Sequence, residues 1–506
     1  MSRQRNSINN LVWGIIGNLI TSIVAIVIPR LFIVNYGSEI NGLLASIRQI
    51  YVYLALLEIG VGDASVVALY GPIARQDHKS VNEILAATDF YYKKIGIIYA
   101  ISIVVLGLGY PLLLNTSVPY WVCFWVIVLQ GSGSVISYLV QGKYNMLLRV
   151  DNRNYVTTNL GTVTSVLTDA SRIFLLLQGR SIIAVQTTYL IFNLIKNVFY
   201  KLLYKKELCL AEFESKTQIF QAISQKSAVF VHQISALVFS HTDVLILTFV
   251  CGLKTVSIYS MYAVIYGMVD NVVTITSNSV QAALGQIFNS DKQRFLKLQE
   301  AFETYYLALV FSLFAIATIF ALPFMKLYTA GADINYIDWK LPILFAFYRL
   351  LSYGRITSNN IIGFTGAFKE TQWRAWLETI INLVVSFVCV FKFGIYGVLF
   401  GTIAALLYRA NDIIIFANCK LLKRSAWPTY RRWLINLVIF GIVVGVFVNL
   451  PMNLNSYVDL VKNAIWVSLS TIILFFTINS FVEVEARKIA YLYVKNIVHV
   501  IRNKRK

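Results

Sequence analysis

The chain has 506 residues, of which 58% are hydrophobic and only 13% are charged, about half the charged share of an ordinary globular protein. This composition excludes a disordered chain, a coiled coil and a nucleic-acid-binding protein, and a soluble multidomain enzyme would need far more polar surface. An integral membrane protein remains, provided that the apolar residues form runs of roughly 20, the length that crosses a bilayer core of about 30 Å.

Long uncharged runs recur along the whole chain. The stretch 95–142 carries no charge, and Pro111 and Pro119 near its middle divide it into two helices. The runs are too continuous for a transmembrane barrel, whose strands alternate apolar and polar residues. The sequence predicts an all-α integral membrane protein with fourteen transmembrane helices. Their predicted limits, in chain order, are 8–33, 42–70, 95–114, 120–142, 155–178, 181–204, 226–250, 255–286, 303–325, 336–362, 372–391, 394–418, 432–450 and 459–482.

The loops between the predicted helices alternate between basic and nearly neutral. One set, together with both chain ends, carries 31 of the 44 Lys and Arg residues, and the opposite set carries six. Because Lys and Arg accumulate on cytoplasmic loops, this asymmetry places both termini in the cytoplasm and the protein in the cytoplasmic (inner) membrane. The net charge of +20 is therefore mainly an orientation signal. The run after Arg3 and Arg5 lacks a small-residue cleavage pattern, so we interpret it as an uncleaved first helix.

The loops are too short for an active site. The longest spans 205–225, and no Gly-rich phosphate loop ending in Lys and Ser or Thr occurs in the chain. The five Cys are scattered, and the four His do not pair at ligand spacing. We therefore predict that the protein is not an enzyme, and that it has no cofactor and no metal site beyond one for sodium.

An internal repeat has an offset of about 215 residues. The tripeptide Tyr36-Gly37-Ser38 corresponds to Cys251-Gly252-Leu253, and a polar stretch with Asp77 corresponds to one with Asp291. Because six helices separate the two copies, both run in the same direction, as in transporters built from parallel repeats. The predicted division is an N-lobe of helices 1–6, a C-lobe of helices 7–12, an additional helix pair and a basic amphipathic cytoplasmic tail. Their ranges are 1–210, 211–425, 426–482 and 483–506.

Three segments resemble a known family: Ile28-Pro29-Arg30-Leu31-Phe32, Tyr36-Gly37-Ser38-Glu39-Ile40-Asn41-Gly42-Leu43 and Glu58-Ile59-Gly60-Val61-Gly62. They are similar to the polysaccharide-exporter family, which includes the O-antigen and capsule-repeat flippases. That family belongs to the superfamily of multidrug, oligosaccharidyl-lipid and polysaccharide exporters. The resemblance implies two lobes in a V around a central cavity. It also implies transfer of an undecaprenyl-pyrophosphate-linked oligosaccharide between leaflets by alternating access.

The charges assigned to the spans rather than to their ends and loops are balanced, with seven basic and seven acidic residues. They are Arg30, Arg48, Arg172, Lys196, Arg349, Arg355 and Arg409, and Glu58, Asp63, Asp169, Asp243, Asp270, Glu378 and Asp412. Ionisable groups in a bilayer usually face each other or a water-filled cavity. Two sets are spaced i, i+3 on one helix face, namely Asp169 with Arg172 and Arg409 with Asp412. We interpret these as structural ion pairs.

Four arginines have no acidic partner one helical turn away. They are Arg30, Arg48, Arg349 and Arg355. A guanidinium group binds phosphate through two parallel hydrogen bonds and stays charged when buried, so these residues are predicted to line a cavity for the lipid pyrophosphate. The alternative is pairing with Glu58 or Asp270 across the lobes.

A second candidate group has oxygen ligands. Glu378 and Asn382 lie i, i+4 on one helix face, and Asp243 and Thr402 lie at similar depth on two other helices. Three helices could hold a sodium ion there, or Asp243 could exchange a proton, so the predicted coupling ion is Na⁺ or H⁺. The resemblance to the lipid II flippase, which has a cation site on the corresponding helices, agrees with this hypothesis. The alternative is hydrogen bonding between helices.

The predicted function is a flippase for a lipid-linked O-antigen, capsule or exopolysaccharide repeat unit. The alternatives are a cation-coupled multidrug exporter, which would favour an acidic cavity, and a membrane polysaccharide polymerase or glycosyltransferase, which would need a large outer loop. The expected partners are the lipid-linked oligosaccharide and membrane lipids, with polysaccharide polymerase and glycosyltransferases as candidate protein partners. We expect a monomer that does not bind nucleic acid.

Overall fold

The protein is helical throughout its described part. The computed structural model describes residues 13, 17, 24, 26–58, 61–75, 77–150, 153–204, 227–452, 454–492 and 495. Within these ranges it contains no β-strand. Contacts between Cα atoms divide the chain into two compact units. Unit 1 is Met1–Ser260 with Gly331–Ile334, and unit 2 is Met261–Ala330 with Asn335–Lys506.

Unit 1 contains the first described helices. They are α1 (Ile26–Tyr36), α2 (Ser38–Leu54), α3 (Val61–Ala74), α4 (His78–Leu113), α5 (Tyr120–Ile136), α6 (Gly142–Val150), α7 (Asn154–Leu177), α8 (Ile182–Tyr204) and α9 (Ser227–Cys251). A 3₁₀ turn, Ala55–Glu58, extends α2, and a π-helical segment, Ser137–Gln141, joins α5 to α6. The helix α10 (Leu253–Ser290) begins in unit 1 and continues into unit 2.

Unit 2 contains the remaining described helices. They are α11 (Lys292–Tyr328), α12 (Lys340–Gly354), α13 (Ile356–Thr365), α14 (Phe368–Phe393), α15 (Ile395–Ile415), α16 (Trp427–Asn449), α17 (Tyr457–Val482) and a short helix α18 over 484–492. A π-helical segment, Phe416–Leu421, continues α15.

Twelve helices among the described residues are long and apolar enough to cross a membrane, and the chain is a multi-pass membrane protein. They coincide with twelve of the fourteen predicted spans. Most of the first predicted span, 8–33, lies outside the described residues, which show only the end of it in α1. The tenth, 336–362, is divided at Arg355 into α12 and α13, each shorter than a bilayer core.

Several predicted boundaries differ from the structure. The second span, predicted as one helix over 42–70, is interrupted by the 3₁₀ turn Ala55–Glu58, and the sequence there is rich in helix-weakening glycine. The third and ninth spans start earlier, at His78 and Lys292, because their amphipathic approaches continue the same helix.

The predicted correspondence between the two halves appears in local structure. Gly37 and Gly252 lie just before α2 and α10 with φ of 83° and 82°, a backbone conformation that favours glycine. Asp77 and Asp291 are the N-caps of α4 and α11, and each carboxylate accepts a hydrogen bond from a backbone N–H three residues later. Thus the two halves start their helices in the same way, at offsets of 215 and 214 residues.

The predicted lobe boundary at 210 falls in 205–226, outside the described residues, so it stays a prediction. Contact clustering instead divides α10 after Ser260. Within unit 1, α2 and α10 approach closely at Gly42, where a Cβ atom would lie 1.9 Å from the carbonyl oxygen of Leu253. Asn41 also donates to the hydroxyl of Ser257 at 2.8 Å. This packing explains why the start of α10 belongs to unit 1.

The C-terminal segment is helical over 484–492. The remainder of the tail predicted over 483–506, apart from residue 495, lies outside the described residues. In unit 2 this helix closes one side of a largely apolar cavity of about 390 Å³, to which α10 and α11 contribute Val280, Leu298 and Phe302.

Candidate functional site

Arg48 lies on α2, directly after the buried residue Ile47. Its side chain is exposed although α2 belongs to a membrane-spanning segment. Within the described residues it forms no hydrogen bond or ion pair, and its electrostatic neighbours are Arg172 and Tyr189 of unit 1. A guanidinium group in this setting is available to an external anion.

Arg172 lies on α7 beside Asp169, as the spacing predicts. The ion pair is loose, with 3.6 Å between Arg172 Nη1 and Asp169 Oδ1. Arg172 Nη2 donates to the side-chain oxygen of Gln186 on α8 at 3.0 Å. The guanidinium also lies over the ring of Tyr189, 5.4 Å from its centroid, which is within cation–π distance.

Two glycines on α5 leave room for the side chains of Tyr189 and Tyr51. A Cβ atom on Gly133 would lie 2.3 Å from the Tyr189 ring, and one on Gly131 would lie 2.8 Å from the Tyr51 hydroxyl. The Tyr51 hydroxyl donates to the carbonyl of Ile127, also on α5. Small residues thus let both rings pack directly against the α5 backbone.

Glu58 ends the 3₁₀ turn of unit 1 and accepts a hydrogen bond from the hydroxyl of Tyr92 at 2.6 Å. Tyr92, Tyr138, Tyr99 and Tyr51 form a continuous row of ring contacts, with centroids 5.3–6.2 Å apart. Glu58 therefore has a hydroxyl partner inside its own unit. Arg30 lies half-buried on α1, and its predicted role stays a prediction.

Arg349 lies on α12 of unit 2 and pairs with Asp270 of α10, with 3.0 Å between Nη1 and Oδ2. The guanidinium also lies 4.6 Å from the centroid of the Tyr348 ring. Arg349 is therefore paired with Asp270, which is the alternative that the sequence left open, and both residues belong to unit 2.

Arg355 belongs to a chain of alternating charges in unit 2. Its Nη1 is 2.7 Å from Glu378, whose second oxygen is 3.3 Å from Arg409 Nε. Arg409 Nη1 is 2.6 Å from Asp412, the predicted i, i+3 contact, and Asp412 also pairs with Arg374 at 2.5 Å. Three cations face two carboxylates, so the chain has a net charge of +1.

The residues predicted to bind a cation belong to both units. In unit 2, the side-chain amide of Asn382 donates to the hydroxyl of Thr402 at 3.1 Å, and Glu378 has two arginine partners, which disfavour an added cation. In unit 1, Asp243 is buried and accepts a hydrogen bond from Tyr259 at 3.4 Å. Among the described residues, no group of three or more His, Cys, Asp or Glu could hold a metal ion.

A buried charge cluster in unit 2 was not predicted. Glu303 of α11 is paired with Arg432 of α16 at 2.6 Å, and Arg432 is 3.3 Å from Glu483 at the end of α17. Arg431 completes the cluster through Glu483. Both arginines were counted among the cytoplasmic cations at the start of the predicted span 432–450, so the sequence gave no signal of the burial of Arg432.

Comparison with known proteins shows similarity in structure alone. No protein-family model matches the chain, and no curated protein matches it significantly.

The lipid II flippase MurJ, in an inward closed conformation, has a TM-score of 0.67 and 12% identity, over 94% of this chain and 100% of that one. An inward-facing MATE family multidrug resistance transporter of the MOP superfamily has a TM-score of 0.63 and 14% identity, over 80% of this chain and 99% of that one. MATE in a bent conformation has a TM-score of 0.51 and 13% identity, over 86% and 98%.

The fold is therefore the one shared by MATE transporters and the lipid II flippase, as the resemblance implied. The structures with which it is shared are transporters and flippases rather than enzymes.

Proposed function

We propose that the protein is a flippase that moves an undecaprenyl-pyrophosphate-linked oligosaccharide from the inner to the outer leaflet of the cytoplasmic membrane by alternating access. The observation that carries this proposal is Arg48, an exposed guanidinium on a membrane-spanning helix that has no ion pair with any described residue. A lipid pyrophosphate loses hydration as it crosses the membrane, and arginine replaces that hydration through paired, charge-assisted hydrogen bonds.

The similarity to a lipid II flippase over nearly the whole chain supports a lipid-linked substrate. Two groups have an excess of cations, namely Arg48 and Arg172 against Asp169 in unit 1 and three arginines against two carboxylates in unit 2. This excess favours an anion. The N-terminal segments resemble the polysaccharide-exporter family. This resemblance favours a surface-glycan repeat unit as the lipid-linked anion.

The test is export of surface polysaccharide in a host whose own flippase gene is deleted. Arg48→Ala is expected to abolish export at normal protein level, and Arg48→Lys to retain part of it because the positive charge remains. Arg180→Ala is the matched control, since Arg180 is exposed in the turn between α7 and α8. Normal export by Arg48→Ala would contradict the proposal.

Multidrug efflux is the second candidate, because MATE transporters share the fold. It requires affinity for organic cations, which the cation excess around Arg48 opposes. Increased drug resistance on expression, together with no rescue of polysaccharide export, would favour this candidate.

We further propose that a cation gradient drives transport, with Asp243 as the group that binds Na⁺ or H⁺. A buried carboxylate on a membrane-spanning helix is usually functional. The protein would act as a monomer beside the glycosyltransferases and polymerase that make and use its substrate.

A further inference from the structure

Arg172 has the loosest ion pair among the arginines described inside the spans. Its 3.6 Å distance to Asp169 compares with 2.5–3.0 Å for the nearest carboxylate of Arg349, Arg355, Arg374 and Arg409. Charge-assisted N–H···O bonds usually measure about 2.7–2.9 Å. Asp169 therefore compensates the charge of Arg172 only in part.

The hydrogen-bonding capacity of Arg172 is also incompletely used. Nη2 donates to the neutral amide oxygen of Gln186, and the buried Nε has no hydrogen-bond partner. A guanidinium has five N–H donors, and a buried donor without an acceptor is costly. An additional oxygen ligand would satisfy this group.

Arg48 and Arg172 belong to the same local site. Arg48 lies one turn before Tyr51 on α2, and the Tyr51 hydroxyl lies at Gly131 of α5. Two residues further along α5, Gly133 lies against the Tyr189 ring, over which Arg172 is placed. Among the described residues, Asp169 pairs with Arg172 and no carboxylate pairs with Arg48, which leaves an excess positive charge inside a membrane-spanning region. A phosphate group between them would neutralise this excess.

The site is held in place by packing. Tyr189 lies against α5 at Gly133 and under the guanidinium of Arg172, while Gln186 fixes Nη2 from the same helix as Tyr189. A guanidinium positioned from two sides is preorganised for a planar, two-point contact with phosphate.

We infer that Arg172, with Arg48, forms a two-arginine binding site for a phosphate or pyrophosphate group in unit 1, and that Asp169 competes with the ligand for Arg172. This inference rests on the proposed function, because it identifies the residues that receive the lipid pyrophosphate. It changes the role of Arg172 from a structural ion-pair partner to a ligand-binding residue.

Binding is measured on the full-length protein in lipid nanodiscs, with inorganic pyrophosphate and farnesyl pyrophosphate as probes. Arg172→Gln is expected to weaken binding by about 10- to 100-fold, the range of one to two charged hydrogen bonds. Asp169→Asn is expected to tighten it several-fold, because the competing carboxylate is removed. A purely structural pair predicts no tightening in Asp169→Asn. Arg180→Gln is the control and is expected to bind like the wild type.

The two probes separate the sources of the phosphate. If farnesyl pyrophosphate binds more tightly than inorganic pyrophosphate, the ligand is lipid-linked. If the two probes bind equally well, the site is one for the free anion. If size-exclusion chromatography shows that Arg172→Gln is poorly folded, the binding test uses Arg172→Lys and Asp169→Asn instead.

Wild-type affinity in both Arg172 and Asp169 variants would overturn the inference. If those variants bind and export normally while Arg48→Ala abolishes export, the inference fails and the proposed function stands. Normal export by Arg48→Ala would contradict the proposed function itself.

Discussion

The buried pair of Glu303 and Arg432 gives the sharpest prediction on stability. The two side chains are 2% and 4% exposed, and their Oε2 and Nη1 atoms are 2.6 Å apart. Glu303 also accepts hydrogen bonds from Thr429 at 2.9 Å and Thr357 at 3.4 Å. Glu303→Leu removes the carboxylate and leaves a guanidinium whose remaining carboxylate, Glu483, lies 3.3 Å away.

Removing one partner of a buried ion pair costs about 3–5 kcal/mol. We expect the lower end, about 3 kcal/mol, for Glu303→Leu because Glu483 still compensates part of the charge. Arg432→Met should cost a similar amount, since it leaves the carboxylate of Glu303 uncompensated. The double variant should recover most of the loss, because no unpaired charge remains at that contact and Glu483 keeps Arg431 as its partner.

The assay is unfolding in mixed micelles with increasing SDS, followed by tryptophan fluorescence. Trp433 is a suitable reporter because it packs edge-on against Phe311 of α11, with ring centroids 5.7 Å apart. Comparing the wild type, both single variants and the double variant isolates the coupling free energy. Additive losses, with a coupling free energy below about 0.5 kcal/mol, would refute the conclusion that the pair is energetically linked.

Two further predictions concern the coupling ion and the repeat. Asp243→Asn is expected to remove the dependence of transport in proteoliposomes on a Na⁺ or H⁺ gradient, and an unchanged dependence would exclude Asp243 from coupling. Gly37→Ala is expected to destabilise the protein by about 1–3 kcal/mol, because φ of 83° with ψ of 171° is a conformation that essentially only glycine adopts. Its control, Gly441→Ala, lies in a helix with open space around the added methyl group and should be neutral or slightly stabilising; equal melting temperatures for the two variants would contradict this account.

Much of the fold could be predicted because the signals are local. A bilayer requires long apolar helices, so hydropathy alone located twelve of the spans close to their observed limits. The helix starts after Gly37 and Asp77, and their counterparts in the second half, depend only on adjacent residues. In the sequence these residues marked the repeat, and the predicted spans begin later, at 42 and 95. The interruption after Leu54 was missed although helix-weakening glycines follow it in the sequence. The division at Arg355 was missed because it depends on tertiary packing. At Gly354, for example, a Cβ atom would lie 2.2 Å from the ring of Trp433.

The partners of the intramembrane charges were harder to predict. Spacing along one helix identified the contacts of Asp169 with Arg172 and of Arg409 with Asp412. It could not show that Arg409 also meets Glu378, or that Arg172 is held less tightly than Arg409. Such contacts join helices that are distant in sequence, and a helical period does not specify which helices are neighbours.

The cluster that joins Glu303 to Arg432 has a consequence for biogenesis. Arg432 follows Glu303 by 129 residues, so at about 5–20 residues per second the carboxylate waits roughly 6–26 s for its cation during synthesis. Until α16 inserts, α11 carries an unpaired acid at a position that becomes almost fully buried. A chain ending before Trp427 would keep this defect permanently. Completion of the last helix pair is therefore the step at which Glu303 and Arg432 become paired and Arg432 also gains Glu483.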